Sequence, residues 1–323
     1  MGRYNFPLNE VKSMIESADT ITIMTHLHPD ADTLGTGLGI YHFLLKMGKR
    51  VEIVNLSESL PHTLRFLPYF HRIKAKIEFE KSLVISCDCG TLSRLGTTLN
   101  GREILNIDHH VSNTMYGSVN IVDAKAISAS QVAYGLFSQL GDISKESAIC
   151  FYTALLSDSC YFTTNLVNQE VFGFAQSLIA LGVDPAYVAK ELTQKRSLSS
   201  IRILAKALSQ FTLLLDARVG LLWVDKSQMK ESGATMVDIE GIVEYARSLA
   251  SVEIGIFLIE FEEGIRVSLR SKEVDVSTLA AALGGGGHPF ASGIILRDLS
   301  LEESKEMLLE NIKKKGILDE KTK

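Results

Sequence analysis

His26, Asp30 and Asp32 stand together in the stretch Thr25-His26-Leu27-His28-Pro29-Asp30-Ala31-Asp32. Their His-x3-Asp-x-Asp spacing puts one imidazole and two carboxylates on a turn between a β-like run, 20–24, and a helix-like run, 36–47. Three later segments repeat the arrangement. Asp88 follows the apolar run 82–87, Asp108-His109-His110 follow 103–107, and Asp158 follows a helical run over 145–156. Carboxylates and imidazoles without thiolates suit a hard or borderline divalent cation such as manganese, magnesium or cobalt better than a structural zinc. Six candidate ligands from these segments are too many for one ion that must also hold water and substrate, so two is the natural count. Two ions about 3.5–4 Å apart can share a carboxylate and acidify a bridging water for in-line attack on phosphorus. Taken singly, Asp88 or Asp158 reads as a cap or turn residue and His109 as a hydrogen-bonded structural histidine. His28 is left outside the ligand set.

The elements around these residues explain how they could meet. A strand near 20–25, a helix near 33–47 and a strand over 51–54 form a βαβ unit, which implies a parallel sheet. In a doubly wound sheet the carboxyl ends of the strands line one edge, where ligands bind. The second half reads as strands at 212–215, 219–224, 252–261 and 265–270, with a helix over 234–250. Asp275 is expected to cap a helix through Ala282, and a strand over 293–296 and a helix over 300–315 follow. The fold class is therefore α/β, a doubly wound, mainly parallel sheet domain followed by a smaller α/β domain with a mixed sheet. Boundaries are expected at 1–185 for the first domain, 186–211 for a helical linker and 212–323 for the second domain. Within the latter, Gly284-Gly285-Gly286-Gly287-His288-Pro289 reads as a flexible loop, or as backbone free of Cβ atoms that an anion can approach. Arg270 reads as a surface ion pair or as a fork for phosphate oxygens.

A chain of 323 residues with 46% hydrophobic and 22% charged residues has material for packed interiors. Its net charge of -5 argues against a surface built to coat long nucleic acids. The four cysteines, Cys87, Cys89, Cys150 and Cys160, form no C-x-x-C pair and are expected as reduced thiols. The residues Met1 to Pro7 lack the apolar core of a signal peptide and no apolar run reaches spanning length, so a cytoplasmic location is expected. Lys313-Lys314-Lys315 reads as a solvated helix end and 320–323 as a frayed tail.

In their order, these motifs resemble those of the DHH phosphoesterases that carry a DHH-associated C-terminal domain. The likeness is to the stand-alone subgroup of nanoRNase/pAp-phosphatase enzymes and cyclic di-AMP phosphodiesterases. His26 to Asp32 resemble the first motif, Asp88 the second, Asp108-His109-His110 the third and Asp158 the fourth, while 284–293 resemble the signature of the associated domain. The resemblance implies two manganese ions, one held by His26 and Asp30, the other by Asp32, His109 and Asp158, with Asp88 bridging them. It implies that His110 contacts the scissile phosphate and that Asp108 supports the histidines. Arg270, Gly285, Gly286, Gly287 and His288 would bind substrate, making the cleft between domains the active site, and a homodimer is implied as well. After the fourth motif this chain reads Asp158-Ser159-Cys160-Tyr161-Phe162-Thr163, where many relatives have Asp-Thr-Gly-x-Phe-Arg; His28 stands where asparagine is common.

The function expected is manganese-dependent hydrolysis of short oligonucleotides and dinucleotides, linear pApA foremost and cyclic di-AMP as a further candidate, to mononucleotides. The partner is thus a short nucleotide, with no long nucleic acid and no membrane. The alternatives are a phosphatase acting on 3'-phosphoadenosine 5'-phosphate and a non-catalytic nucleotide-binding regulator.

Overall fold

The computed structural model describes residues 6–318, so the tail expected at 320–323 lies outside the described residues. The chain divides into two compact units between Lys195 and Arg196. In the first unit the order is α1 (Leu8–Ser17), β1 (Thr20–Thr25), α2 (Ala31–Lys46), β2 (Arg50–Val54), β3 (Ile73–Lys74), β4 (Leu83–Cys87), β5 (Ile104–Asp108) and β6 (Val119–Val122). Helices α3 (Ala129–Phe137), α4 (Lys145–Asp158), α5 (Gln169–Ala180) and α6 (Pro185–Thr193) complete it. The strands form one parallel sheet in the order β3-β2-β1-β4-β5-β6. Such an order reverses direction between β1 and β4, and at that switch point a crevice opens beyond the carboxyl ends of the strands.

The interior residues of β1, β4 and β5 are buried on both faces, which is why these strands read as continuous apolar runs. Helix α2 is buried from Ala31 to Leu44 and lies against α4. Glycines make that approach close: a Cβ at Gly35 would stand 2.6 Å from the Cys150 carbonyl oxygen, and one at Gly39 would stand 2.3 Å from the Phe151 ring. A Cβ at Gly35 would also stand 3.0 Å from Ala154 Cβ, whereas Gly39, one turn on along the same helix face, meets Phe151. The facing side chains thus run backwards along α4, and the two helices are antiparallel. The carboxyl end of α4, with Asp158, is thereby carried to the amino end of α2, with Asp32.

The second unit holds α7 (Leu198–Ser209), β7 (Thr212–Leu214), β8 (Val219–Val224), α8 (Lys226–Ser232), α9 (Ile242–Arg247), β9 (Ile254–Phe261), β10 (Gly264–Ser271), α10 (Ser277–Ala282), β11 (Gly286–His288), β12 (Ala291–Leu296) and α11 (Leu301–Lys314). Its sheet runs β11-β12-β10-β9-β8-β7, with β8 and β9 parallel and the other neighbours antiparallel, a mixed sheet as expected. Alternation along β10 buries Ile265, Val267, Leu269 and Ser271 and leaves Arg266, Ser268 and Arg270 on the opposite face.

Three local readings differ from the expectation. Of the single helix expected over 234–250 only α9 forms: α8 precedes it and is capped by Gly233 in the left-handed conformation, a turn region follows, and Gly241, also at positive φ, stands immediately before α9. The segment 186–211 is split between α6, whose Val188 packs in the first core, and α7, whose Ile203 and Ala207 pack in the second. Strand β6 has no separate counterpart in the sequence reading; at four residues it is too short to give a strong periodic signal. Among the described residues, no single helix is long and apolar enough to cross a membrane.

Candidate metal centre

The sheet topology places His26 just past β1, Asp88 just past β4 and Asp108 as the last residue of β5, so the switch point gathers the first three motifs. Asp30 is the N-cap of α2, its Oδ1 accepting from the Asp32 and Thr33 amides at 3.0 Å each. Its Oδ2 is left facing the His26 imidazole. Asp32, two residues on, is buried. Its Oδ1 accepts from Thr36 Oγ1 at 3.0 Å and its Oδ2 from the Ala129 amide at 2.7 Å, at the amino end of α3.

The imidazoles present one nitrogen each to the carboxylates. His26 Nδ1 lies 2.8 Å from the Leu27 carbonyl oxygen, which fixes Nδ1 as the donor and turns Nε2, with its lone pair, inward. His26 Nε2 lies 3.5 Å from Asp88 Oδ2 and 3.8 Å from Asp30 Oδ2. His109 repeats the pattern: Nδ1 is directed at the Ala126 carbonyl at 3.3 Å, and Nε2 lies 3.4 Å from Asp88 Oδ1, 3.4 Å from Asp158 Oδ2 and 3.6 Å from Asp32 Oδ2. Two ligands bound at about 2.0–2.2 Å to one ion stand about 3–3.5 Å apart, so most of these gaps have the width that a shared cation sets. Within this unit three triads, His26/Asp30/Asp88, Asp32/Asp88/His109 and Asp88/Asp108/His110, have donor atoms close enough to hold a metal ion, and Asp88 belongs to all three.

Asp88 carries the strongest sign of fit. Its backbone sits in the left-handed region, φ 55°, an uncommon conformation for a non-glycine residue. Its buried Oδ1 has no hydrogen-bond partner, although a buried carboxylate oxygen ordinarily finds one. A cation would satisfy it.

Electrostatics point the same way. Burial, and then the charges of Asp88 and Asp158, push the Asp32 carboxyl well above the usual carboxylate range. Burial also raises Asp158, with Asp88 and Asp30 adding to it, to about 7. For His109, burial disfavours the cation, but Asp88, Asp158 and Asp32 outweigh it and raise its pKa well above the ordinary value. Burial opposes the Asp88 charge too, yet the His109 and His26 imidazoles hold its carboxyl far below normal. The cluster thus recruits protons where positive charge is required. Asp158 at the carboxyl end of α4 compounds the demand, because a helix end of that polarity disfavours a carboxylate. Cys87, next to Asp88, is buried and its thiol is raised well above normal, so no thiolate joins the donor set.

His110 is held differently. Its Nδ1 lies 2.7 Å from Asp108 Oδ1. Asp108 is fully buried and accepts at Oδ2 from Asn113 Nδ2 at 2.5 Å. Asn113 is in turn fixed at Oδ1 by Asn106 Nδ2 at 3.0 Å and the Met115 amide at 2.7 Å. His28 is exposed, with φ 54°, and its amide donates to Ser57 Oγ, so it shapes the turn after β1.

Sequence reasoning did not single out Asn113 or Asn55. Asn55 lies just past β2 and donates from Nδ2 to Thr25 Oγ1 at 2.8 Å and to the His26 carbonyl at 2.9 Å, holding the first motif from the neighbouring strand. Its place beyond a strand end was the available signal. Asn113 had a weaker one, three residues beyond the double histidine.

In the second unit, Arg270 Nε donates to Glu244 Oε1 at 3.0 Å and Nη1 to the Leu269 carbonyl, so the ion-pair reading has a definite partner. The glycine run is not a free loop. Gly286–His288 forms the edge strand β11, and Cβ atoms at Gly285 and Gly287 would stand 2.2 Å and 2.5 Å from the carbonyl oxygens of Gly293 and Ala291. Those two glycines are required by strand packing, whereas Gly286 faces open space. His288 pairs in register with Ala291.

A cluster of cation-seeking groups at the switch point of a doubly wound sheet defines a metal-dependent hydrolase. Residues 20–155 match the DHH family, N-terminal domain, and residues 219–315 match the DHHA1 domain. The chain is 31% identical over 298 residues to the bifunctional oligoribonuclease and PAP phosphatase NrnA of Thermus thermophilus, covering 91% of this chain and 89% of that one. It is 24% identical to the cyclic-di-AMP phosphodiesterase PdeA of Listeria monocytogenes over 94% of this chain but 48% of that protein. Among solved structures, an exopolyphosphatase-related protein from Bacteroides fragilis superposes with a TM-score of 0.90 at 27% identity, covering 97% of both chains. The chain belongs to the DHH family and is an enzyme of its phosphoesterase class, with a DHHA1 domain following the catalytic one.

Proposed function

We propose that the protein is a manganese-dependent phosphodiesterase that cleaves dinucleotides and very short oligonucleotides, linear pApA and cyclic di-AMP among them, to nucleoside monophosphates. The observation that carries the reading is the Asp88 carboxylate, whose two oxygens face two different imidazoles, His26 and His109, at 3.5 and 3.4 Å. In this reading His26 and Asp30 hold one ion, Asp32, His109 and Asp158 hold the other, and Asp88 serves both. Manganese suits the donor set because carboxylates and imidazoles combine without a thiolate. When bound, such ions supply positive charge to the phosphate and lower the pKa of water.

The chain's own groups do the rest. His26 and His109 are locked by backbone carbonyls in the tautomer that offers Nε2. His110, its Nδ1 bound to Asp108, is positioned to place its other nitrogen against the substrate phosphate and to give a proton to the leaving oxygen. Arg270, His288 and the backbone at Gly285, Gly286 and Gly287 serve substrate binding, for which Arg270 exchanges Glu244 for a phosphate oxygen.

The name of the Thermus relative, which pairs an oligoribonuclease with a PAP phosphatase, favours a second activity, release of phosphate from 3'-phosphoadenosine 5'-phosphate. A regulator without catalysis is disfavoured by the intact donor set. We further assign the protein to the cytoplasm as a homodimer, in line with the family resemblance. The deciding experiment is a side-by-side assay of the full chain with manganese on pApA, cyclic di-AMP, cyclic di-GMP, longer oligoribonucleotides and 3'-phosphoadenosine 5'-phosphate. The reading requires the fastest turnover on a dinucleotide; faster turnover on long RNA, or none on any substrate, would reject it.

A further inference from the structure

Arg94 sits on a short helical turn, Leu92–Leu95, that begins four residues after Asp88. The turn is anchored on two sides. Its Arg94 carbonyl accepts from the Leu27 amide at 2.7 Å, and Leu95 is buried in a small core with Met24, Val84 and Cys89. Gly96 closes it at φ 76°, where a Cβ would stand 2.9 Å from the Leu27 side chain. The turn is therefore fixed against the loop that carries His26, on the β1 and β4 side of the switch point.

The side chain of Arg94 is exposed, and among the described residues its guanidinium has neither a hydrogen-bond nor an ion-pair partner. The Arg94 backbone is held one residue from His26 along the Leu27 contact, with the side chain free to reach an incoming group. Asp30 and Asp88 both face the His26 imidazole, yet neither pairs with the arginine. A cation kept beside a carboxylate cluster and left unpaired is a poor stabiliser of the fold and a ready partner for an anion that arrives later.

We propose that Arg94 binds phosphoryl oxygens of the substrate on the His26 side of the metal centre. The assignment rests on the phosphodiesterase reading, and guanidinium geometry suits a two-point hold on a phosphate. No bond is made or broken by Arg94. It is a binding residue whose contribution falls on affinity more than on the chemical step.

The test compares wild type, Arg94→Ala and Arg94→Lys, all as full chains loaded with manganese. Steady-state kinetics on pApA, the inhibition constant of inorganic phosphate and manganese affinity by calorimetry are measured. For Arg94→Ala, KM and the phosphate inhibition constant should each rise roughly tenfold, with kcat within about threefold and manganese affinity unchanged. Arg94→Lys should recover part of the loss, since it keeps the charge but not the fork. KM and phosphate inhibition within twofold of wild type in an active Arg94→Ala would overturn the assignment, as would a loss confined to thermal stability. If the wild type hydrolyses none of the nucleotides, the phosphodiesterase reading falls on its own. Direct calorimetric binding of inorganic phosphate to the manganese-loaded wild type and Arg94→Ala then decides Arg94: equal affinities reject it.

Discussion

Nδ1 of His110 and Oδ1 of Asp108 lie 2.7 Å apart, and the other oxygen of that buried carboxylate is occupied by Asn113. Because an amide NH2 can only donate, Asn113 holds Asp108 in the form that accepts from His110. Asn113→Ala should therefore lower kcat by about 10- to 100-fold while leaving manganese affinity within a few-fold, the scale seen when groups supporting a metal site are lost. Kinetics and calorimetry on the same preparation check this; an unchanged kcat would remove Asn113 from the site.

Asp88 is common to all three donor triads of the first unit, so its loss is not compensated by a neighbour. Asp88→Ala should abolish hydrolysis and lower the number of tightly held manganese ions, read by calorimetry or by metal analysis after gel filtration. Substantial manganese-dependent turnover in that variant contradicts the assignment.

Metal binding should release protons. Asp158 at about 7 and the raised His109 must both give up protons to serve as ligands. Affinity should fall as pH drops through about 7, by about tenfold between pH 8 and pH 6 for the Asp158 proton alone. Calorimetry in buffers of different ionisation enthalpy measures the protons released; a pH-independent affinity would exclude ligation by these groups.

With a chelator present, stability should move the other way with pH. Asp32, Asp158, His26 and His109 all have pKa values raised in the folded protein. Their contribution is complete below their unfolded values and is lost as pH rises through the folded ones. His42, lowered by burial, opposes this with a single group. The melting temperature should fall from pH 5 to pH 8 and recover on adding manganese.

Gly35→Ala should disturb the site from a distance. The new methyl would stand 2.6 Å from the Cys150 carbonyl, a backbone atom that cannot rotate away. Pushing α4 off α2 should cost about 1–3 kcal/mol in urea unfolding and displace Asp158, lowering kcat as well.

The chemistry of the first unit was legible in the sequence because each cation-seeking residue comes where an apolar run stops. His26, Asp88 and Asp158 could be placed by that rule alone, and the parallel sheet followed from the βαβ pattern. The second unit was less legible. A single helix was expected over 234–250, where only the part after the left-handed Gly241 is helical, and a loop was expected where Gly286–His288 pairs as a strand. Local pattern carries little information on that strand, since it depends on which backbone lies alongside, here β12.

What the sequence determined by itself was the set of groups, His26, Asp30, Asp32, Asp88, His109 and Asp158, and so the demand for cations. Tertiary structure decided which nitrogen each imidazole offers, since the carbonyls of Leu27 and Ala126 choose the tautomer. It also decided that the two oxygens of Asp88 face two different histidines, because β1, β4 and β5 lie side by side only in the folded sheet. Asn113, Asn55 and Arg94 became visible for the same reason. Their roles rest on hydrogen bonds, or on the lack of a counter-ion, and both are properties of spatial neighbours rather than of spacing along the chain.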